Sequence, residues 1–414
     1  MIADLARRGR RRPPALLALG LVTLGVGSST AVAVPFLSLF LSTAVHAGPV
    51  RITVFLIVTP IAGVVASTLV GRLSDRRPVR RALLIATAVA GVVGMGLAAF
   101  VRDYWILLAQ AVTATALAGA LFPQTFAYAR ELLIRDGAGR AAMGTNALRT
   151  VFSLAWVAGP PLAAFLLDAG GFTYLYGIAA LMYAVVALVA VFWLDELDPP
   201  AAPTMPTTPT APDGEPAPAV PGTVEASRRT VLLTAVAFTM LQCPLTLSLQ
   251  TLPLFVGGNL NGDLDDAGLI LGLCAALEIP LMLGLGVLTT RFPLRLLVLV
   301  GAGSGVAYHV CAAVSGSVST LAVAQILNAA FIAAVSGLGI SYMQDLLPRQ
   351  PGRATTLFTN TFPIGAILAG PLFGLAQHFG LRLAYGIGTG LCAAGLLILL
   401  IIRPPALRTG QPAS

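Results

Sequence analysis

Glu278 stands near the middle of an otherwise apolar stretch, Leu271 to Leu288, and Arg149 lies about eight residues inside another. A charge at bilayer depth costs at least ~2.5 kcal/mol, so each needs a partner or a task. Glu278 suits two tasks. As a proton carrier, its charge would be set by desolvation working against any nearby cation. As a structural group, it would be neutralised by an arginine or hydrogen-bonded to a neighbouring helix. Pro280, two residues on, withholds an amide proton from its helix and clashes with the preceding turn, so a local break beside the carboxylate is expected. Arg149 either meets such a carboxylate or stretches its long side chain to water.

Seven side-chain amides accompany these charges in apolar surroundings: Gln124, Asn146, Gln242, Gln250, Gln325, Asn328 and Asn360. Each offers donor and acceptor together. With a flat ring to stack on, at Phe36, Trp156 or Phe255, they suit a polyhydroxylated ligand; singly, each serves equally well as glue between helices. Gln110 and His309 are weaker candidates, His309 reading best as a packed neutral ring. No phosphate-binding glycine loop with its Lys is present, which excludes an obvious ATP-driven pump. The three His and four Cys are scattered singly, so neither a metal site, nor a cofactor, nor an enzyme is indicated, and no disulfide framework is expected.

Such residues must be held by the elements around them. The chain is 57% hydrophobic and only 10% charged, with mean hydropathy +0.88, which excludes a water-soluble domain. Twelve apolar runs reach the ~20 residues that a helix needs to span a bilayer. They start near Ala15, Val50, Arg80, Tyr104, Ala141, Phe172, Thr230, Ala267, Leu294, Val318, Ala354 and Leu383. The runs are continuous rather than alternating, which excludes a β-barrel.

All 25 basic residues are Arg. Arg7, Arg8, Arg10, Arg11 and Arg12 precede the first run, and Arg72, Arg76, Arg77, Arg80 and Arg81 crowd the connection between the second and third. Arg130, Arg135 and Arg140 flank the connection between the fourth and fifth. The opposite connections carry Arg51, Arg102, Arg382 and the acidic Asp263, Asp265 and Asp266. This asymmetry predicts a multi-pass protein of the cell membrane with both termini cytoplasmic, and accounts for the net charge of +8 without nucleic acid. The first run, Ala15 to Leu41, is too long for a signal-peptide core of ~7–15 residues and reads as an uncleaved span.

Between Asp195 and Arg229 nine prolines interleave with Ala, Thr and acids, a composition that makes a tether rather than a core. The expected division is a six-helix bundle over 1–194, a Pro-rich cytoplasmic linker over 195–229, and a second six-helix bundle over 230–414. The halves echo each other. Tyr128, Glu131, Arg135, Gly139 and Arg140 recur as Tyr342, Asp345, Arg349, Gly352 and Arg353. Thr145 and Asn146 recur as Thr359 and Asn360, and Gly159 and Pro160 as Gly370 and Pro371. Gly71 and Arg76 match Gly286 and Arg291; Pro35 matches Pro253. Parallel six-span repeats joined by a long loop are an architecture of alternating-access carriers.

The run Gly71-Arg-Leu-Ser-Asp75-Arg76-Arg77-Pro78-Val79-Arg80-Arg81 resembles the signature loop of the major facilitator superfamily, departing at Pro78 and Val79. The second copy, from Gly286, has Thr290 in place of the acid. Further segments look like the sugar efflux transporter family of that superfamily: Pro35 to Leu41, Arg149 with Ser153 to Pro161, Leu277 to Pro280, and Tyr342 to Leu346 with Ala354 to Thr361. The resemblance spans all twelve runs and fails over the tether. It implies an all-α membrane protein of twelve transmembrane helices in two pseudo-symmetric bundles, the major facilitator fold. It also implies export of sugars or glycosides, in exchange for protons, by a monomer. A multidrug exporter of the same superfamily is the alternative, and a non-transporting receptor a more distant one.

The resemblance also suggests roles. Spans 5 and 8 meet between the halves in this superfamily, so Arg149 and Glu278 are expected to pair, with Glu278 carrying the proton. Spans 5, 7, 10 and 11 border the central cavity, which ranks Asn146, Gln250, Asn328 and Asn360 first among the amides, with Phe36 and Trp156 as stacking surfaces. In the signature loop, Gly71, Asp75 and Arg76 would gate the cytoplasmic side. Asp75 would lie at the start of span 11, where exposed amides favour an anion, and Arg80 or Arg81 would pair with Glu131.

Overall fold

The computed structural model describes residues 15–76, 79–135, 138–196 and 225–402; the side chains of Ala15, Leu16, Asp75, 133–135 and 138–146 lie outside the description. The arginines before the first span and tether positions 197–224 therefore fall outside the described residues, as do the side chains of Asp75, Arg135, Arg140 and Asn146.

Among the described residues the chain forms twelve helices long and apolar enough to cross a membrane, once broken and merged stretches are resolved, and no strand. α1 covers Ala15–Ala33 and, after a break, Leu37–Leu39 and a π-turn, Phe40–Ala44, bent by 44° from the first part. α2 is Pro49–Arg76 and α3 Arg80–Phe100. α4 runs from Tyr104–Gln110 through a π-turn, Ala111–Thr115, and Ala116–Gly119 into Leu121–Arg135. The continuous stretch Ala138–Trp193 is divided at Gly170 and Gly171 into α5 and α6; Gly171 adopts φ 64°, which glycine takes without a Cβ clash. α7 is Arg228–Asn259, α8 Leu264–Leu288, α9 Leu294–Val314, α10 Val318–Leu346, α11 Pro351–Phe379 and α12 Arg382–Ile401.

Helices are what these apolar runs must form, because lipid offers no partner to an open backbone. Their starts are set locally. Asp103 accepts from the amides of Trp105 and Ile106 at 2.9 and 3.0 Å. Asp263 and Asp266 form a reciprocal capping box that starts α8. The acidic cluster of that connection is thus partly a helix start.

An arginine closes the last helix of each half. Arg81, second in α3, donates to the carbonyls of Ala190 and Val191 at the end of α6. Arg295, second in α9, donates to Leu399, Leu400 and Ile402 at the end of α12, at 3.2, 3.0 and 2.7 Å. In both cases a cation meets carbonyls that have no partner within the helix.

The halves meet most closely at the end of the bundle remote from the tether. There the Ser38 amide donates to Gln250 Oε1, and Gln250 Nε2 donates to the Val34 carbonyl, both at 3.2 Å. α8 lies directly on α5: a Cβ on Gly268 would stand 2.7 Å from the Pro160 oxygen, and one on Gly272 2.8 Å from that of Val157. On α11, Gly370 faces Ile57 of α2 in the same way. Toward the tether end the pattern reverses. At Gly71 of α2, Gly284 and Gly286 of α8, and Gly352 of α11, a Cβ would meet nothing within 4 Å.

Candidate functional site

The remote seam closes one end of a cavity of about 730 Å³ at the middle of the bundle. Its two walls differ in chemistry. The first half contributes Phe122 from α4 and Phe152, Ser153 and Trp156 from α5. The second half contributes Gln242 and Ser248 from α7, Cys274 and Glu278 from α8, Tyr308 from α9 and Asn328 from α10. Most of the polar groups thus come from the second half, which also brings Phe362, while the first half brings three rings and Ser153.

Glu278 faces this space because Leu271, Cys274, Ala275, Glu278, Ile279 and Met282 fall on one face of α8 at helical spacing. It is half-buried, as is its neighbour Leu277, while Pro280 sits inside an uninterrupted α8. The break expected beside the carboxylate is therefore absent from the helix trace.

Arg149 does not pair with Glu278. Among the described residues no ion pair joins them, and Arg149 is exposed. Its place explains this: Arg149 precedes Ser153 and Trp156 on the same face of α5 by four and seven residues, one turn nearer the tether end. It stands one turn beyond the cavity lining rather than across the cavity from Glu278. Asn360 is likewise exposed, one turn from the cavity-lining Pro363.

The other expected ligands separate. Trp156 and Asn328 line the cavity. Phe36 does not: it is wholly buried, beside the break in α1, in an apolar cluster that draws on both halves. Gln250 lines a second, smaller cavity of about 270 Å³, where its amide is already occupied by Val34 and Ser38. That cavity lies toward the remote end and shares Thr246 and Ala366 with the larger one. Gln110 lines it too, accepting from Thr115 at 2.8 Å beside the π-turn of α4. Gln242 lines the larger cavity with its Nε2 unpartnered; Gln124 is buried with Oε1 unpartnered and lines neither. His309 is fully buried behind Ser248.

At the tether end, Arg80 Nε stands 2.9 Å from Glu131 Oε2. Both residues belong to the first half, so this pair braces α3 to α4 and does not bridge the halves. Arg81 is the residue redirected by the fold, from Glu131 to the end of α6. Gly71 is half-buried with open space beside it, and Arg76 is exposed in the last turn of α2.

Ser153, Ser248 and Tyr308 were missed by sequence reasoning. Hydroxyls are too common in membrane helices to single out. For Ser248, the available signal was its position two residues before Gln250.

Comparison with known proteins agrees with this architecture. The family model described as Major Facilitator Superfamily matches residues 16–308 and 243–414. A protein of Salmonella typhimurium named sugar efflux transporter B is 35% identical over 361 residues, 86% of this chain and 88% of its own length. Sugar efflux transporter A of Dickeya chrysanthemi is 34% identical over 97% of this chain and 100% of its own. Sugar efflux transporter A of Escherichia coli is 34% identical over 90% and 92%. Among solved structures, the nucleoside transporter NupG superposes with a TM-score of 0.75 at 12% identity, covering 94% of this chain and 99% of its own. A POT family transporter with a bound thioalcohol-conjugated peptide gives 0.72 at 11% identity, over 94% and 95%. At such identities these two show the fold alone.

Proposed function

Because the chain belongs to the major facilitator superfamily, and within it to the family of sugar efflux transporters, we propose that it exports sugars or glycosides across the cytoplasmic membrane by alternating access, in exchange for protons. The observation that carries this reading is the two-faced cavity. A sugar ring has hydroxyls around its rim and apolar faces of C–H groups. Gln242, Ser248 and Glu278 suit the rim; Trp156 and Phe152 suit a face.

The tether end faces the cytoplasm, since it carries Arg72, Arg76, Arg80, Arg81, Arg295 and Arg353 while the remote end carries Asp263, Asp265 and Asp266. With the remote seam closed, the cavity is then open to cytoplasmic substrate, with Arg149 and Asn360 one turn beyond its lining. Glu278 is the proton carrier, being the carboxylate that lines the cavity at mid-span. The signature loop with Gly71, Asp75 and Arg76 closes the cytoplasmic side in the opposite state, held in place by the Arg80–Glu131 brace.

Phe122, Phe152, Met282 and Phe362 in the same lining favour a second reading, export of apolar cationic drugs. Purified protein in vesicles with an imposed pH gradient, offered labelled sugars and cationic drugs, decides between them. Gradient-driven movement of sugars alone is expected. Movement of drugs alone would replace the proposal with the second reading.

A further inference from the structure

Behind the polar wall of the larger cavity lie two hydrogen-bond chains, each ending on a helix carbonyl. In the first, His309 Nδ1 is 2.7 Å from the Gly305 oxygen and Nε2 is 3.1 Å from Ser248 Oγ. The Pro244 carbonyl also lies beside the ring, and Cys392 Sγ is 3.8 Å from Nδ1. The shortest contact is to the Gly305 carbonyl, which only accepts; the proton of the neutral ring therefore belongs on Nδ1, and Nε2 accepts the Ser248 hydroxyl proton. The ring is fixed in this pose. It is fully buried, Tyr308 and Phe331 pack on it edge-on, and a Cβ on Gly388 would stand 2.2 Å from its Cδ2.

In the second chain, Gln325 Nε2 donates to the Leu321 carbonyl and to the Tyr308 hydroxyl, both at 3.4 Å. The Leu321 oxygen fixes which way the carboxamide points, so Gln325 Oε1 turns to Asn328 and accepts from its Nδ2 at 2.8 Å. The same Nδ2 also reaches Cys274 Sγ at 3.4 Å. Both donors of Asn328 are thereby engaged, and its Oδ1, which has no partner, is itself buried, so this chain presents no acceptor to the cavity. Ser248 and Asn328 line the cavity; His309 and Gln325 do not.

We propose that His309 is a positioning residue that makes Ser248 a fixed hydrogen-bond acceptor on the cavity wall, so that the site reads one O–H donor of its substrate. The carbonyl of Gly305 sets the polarity of this chain, and its cavity end offers a lone pair. An acceptor held without a proton of its own does not compensate a substrate lacking the matching hydroxyl. The inference rests on the sugar reading above and names a group that selects among sugars.

Two measurements test it. Solid-state NMR of the full chain in lipid bilayers, with nitrogen-labelled histidine and the His309 signal assigned by its loss in His309→Phe, reads the tautomer directly. A proton on Nδ1, with the Nε2 resonance displaced in Ser248→Ala, is expected; a proton on Nε2 overturns the inference. Binding of a methyl glycoside is then compared with that of its deoxy and deoxyfluoro analogues at each hydroxyl. Fluorine keeps the place of oxygen but carries no proton. At one hydroxyl, both analogues should bind roughly tenfold more weakly than the parent, the loss of one hydrogen bond. Ser248→Ala should erase that discrimination. His309→Phe frees the Ser248 proton, so there the fluoro analogue should regain affinity over the deoxy one. A purely structural histidine would not move that ratio. If His309→Phe fails to fold, Ser248→Ala carries the comparison. Fluoro analogues that match the parent at every hydroxyl overturn the inference and leave the sugar reading intact; no binding by any glycoside overturns both.

Discussion

Gln250 takes the place of a missing backbone hydrogen bond beside Ser38. In an unbroken α1 the Ser38 amide would donate to the Val34 carbonyl, four residues back. Instead the Gln250 carboxamide stands between them, accepting from Ser38 and donating to Val34 at 3.2 Å each, while the Ser38 hydroxyl donates to the Gln250 carbonyl. A residue of the second half thus completes a helix of the first.

This contact predicts a conformational bias. When the remote seam opens, Gln250 must leave, and Ser38 can then bond Val34 and straighten α1. Gln250→Leu removes both side-chain bonds and should destabilise the closed seam by about 1–3 kcal/mol. Spin-label distances across the remote ends of α1 and α7 should lengthen in a larger fraction of molecules. Unchanged distances would show that the insertion does not bias the transition.

Glu278→Gln keeps the shape and removes the titration. Gradient-driven accumulation of sugar should be lost, while sugar exchange at equal pH persists, since exchange needs no net proton movement. Accumulation at the wild-type rate would remove the proton from Glu278.

Arg149→Ala should be mild, in contrast to the expectation of a buried pair. The side chain is exposed and unpaired with Glu278, so stability should change by within about 0.5 kcal/mol. Its effect should fall on substrate entry, seen as weakened apparent affinity at an unchanged maximal rate. A large drop in melting temperature would show that the pair forms in another state.

Arg81→Ala and Arg295→Ala should behave alike. Each strips the cation from the end of the last helix of its half, at a cost of about 1 kcal/mol. Thermal unfolding should fall to a similar extent in both, with sugar affinity unchanged. Sensitivity of one alone would mean that the halves do not use the residue equivalently.

Shortening the tether should be harmless so long as about ten to fifteen residues remain to span the halves. Transport by such a variant at the parental rate is expected; its loss would give the segment a role beyond connection.

Much of this protein is local information. The length of each apolar run dictates a crossing helix, because an unpaired backbone is intolerable in lipid. The repeated residues around Glu131 and Asp345 mark two halves, and the pairing of Arg80 with Glu131, on separate runs, was anticipated only through the resemblance of the signature loop. Glu278 and Asn328 stand out by polarity alone, and both line the cavity. The tertiary structure decided which face each residue presents. In a soluble helix, an apolar stripe reveals the buried side. Here lipid and core are equally apolar, so nothing in the pattern distinguishes Phe36, sealed in the core, from Trp156 on the cavity wall. Nor could the sequence place Gln250 in the backbone gap of α1, or Arg149 a turn beyond Glu278's cavity. Those positions follow from where helices of opposite halves cross, and that is settled by packing at residues such as Gly268 and Gly272, where a single Cβ would force α5 and α8 apart.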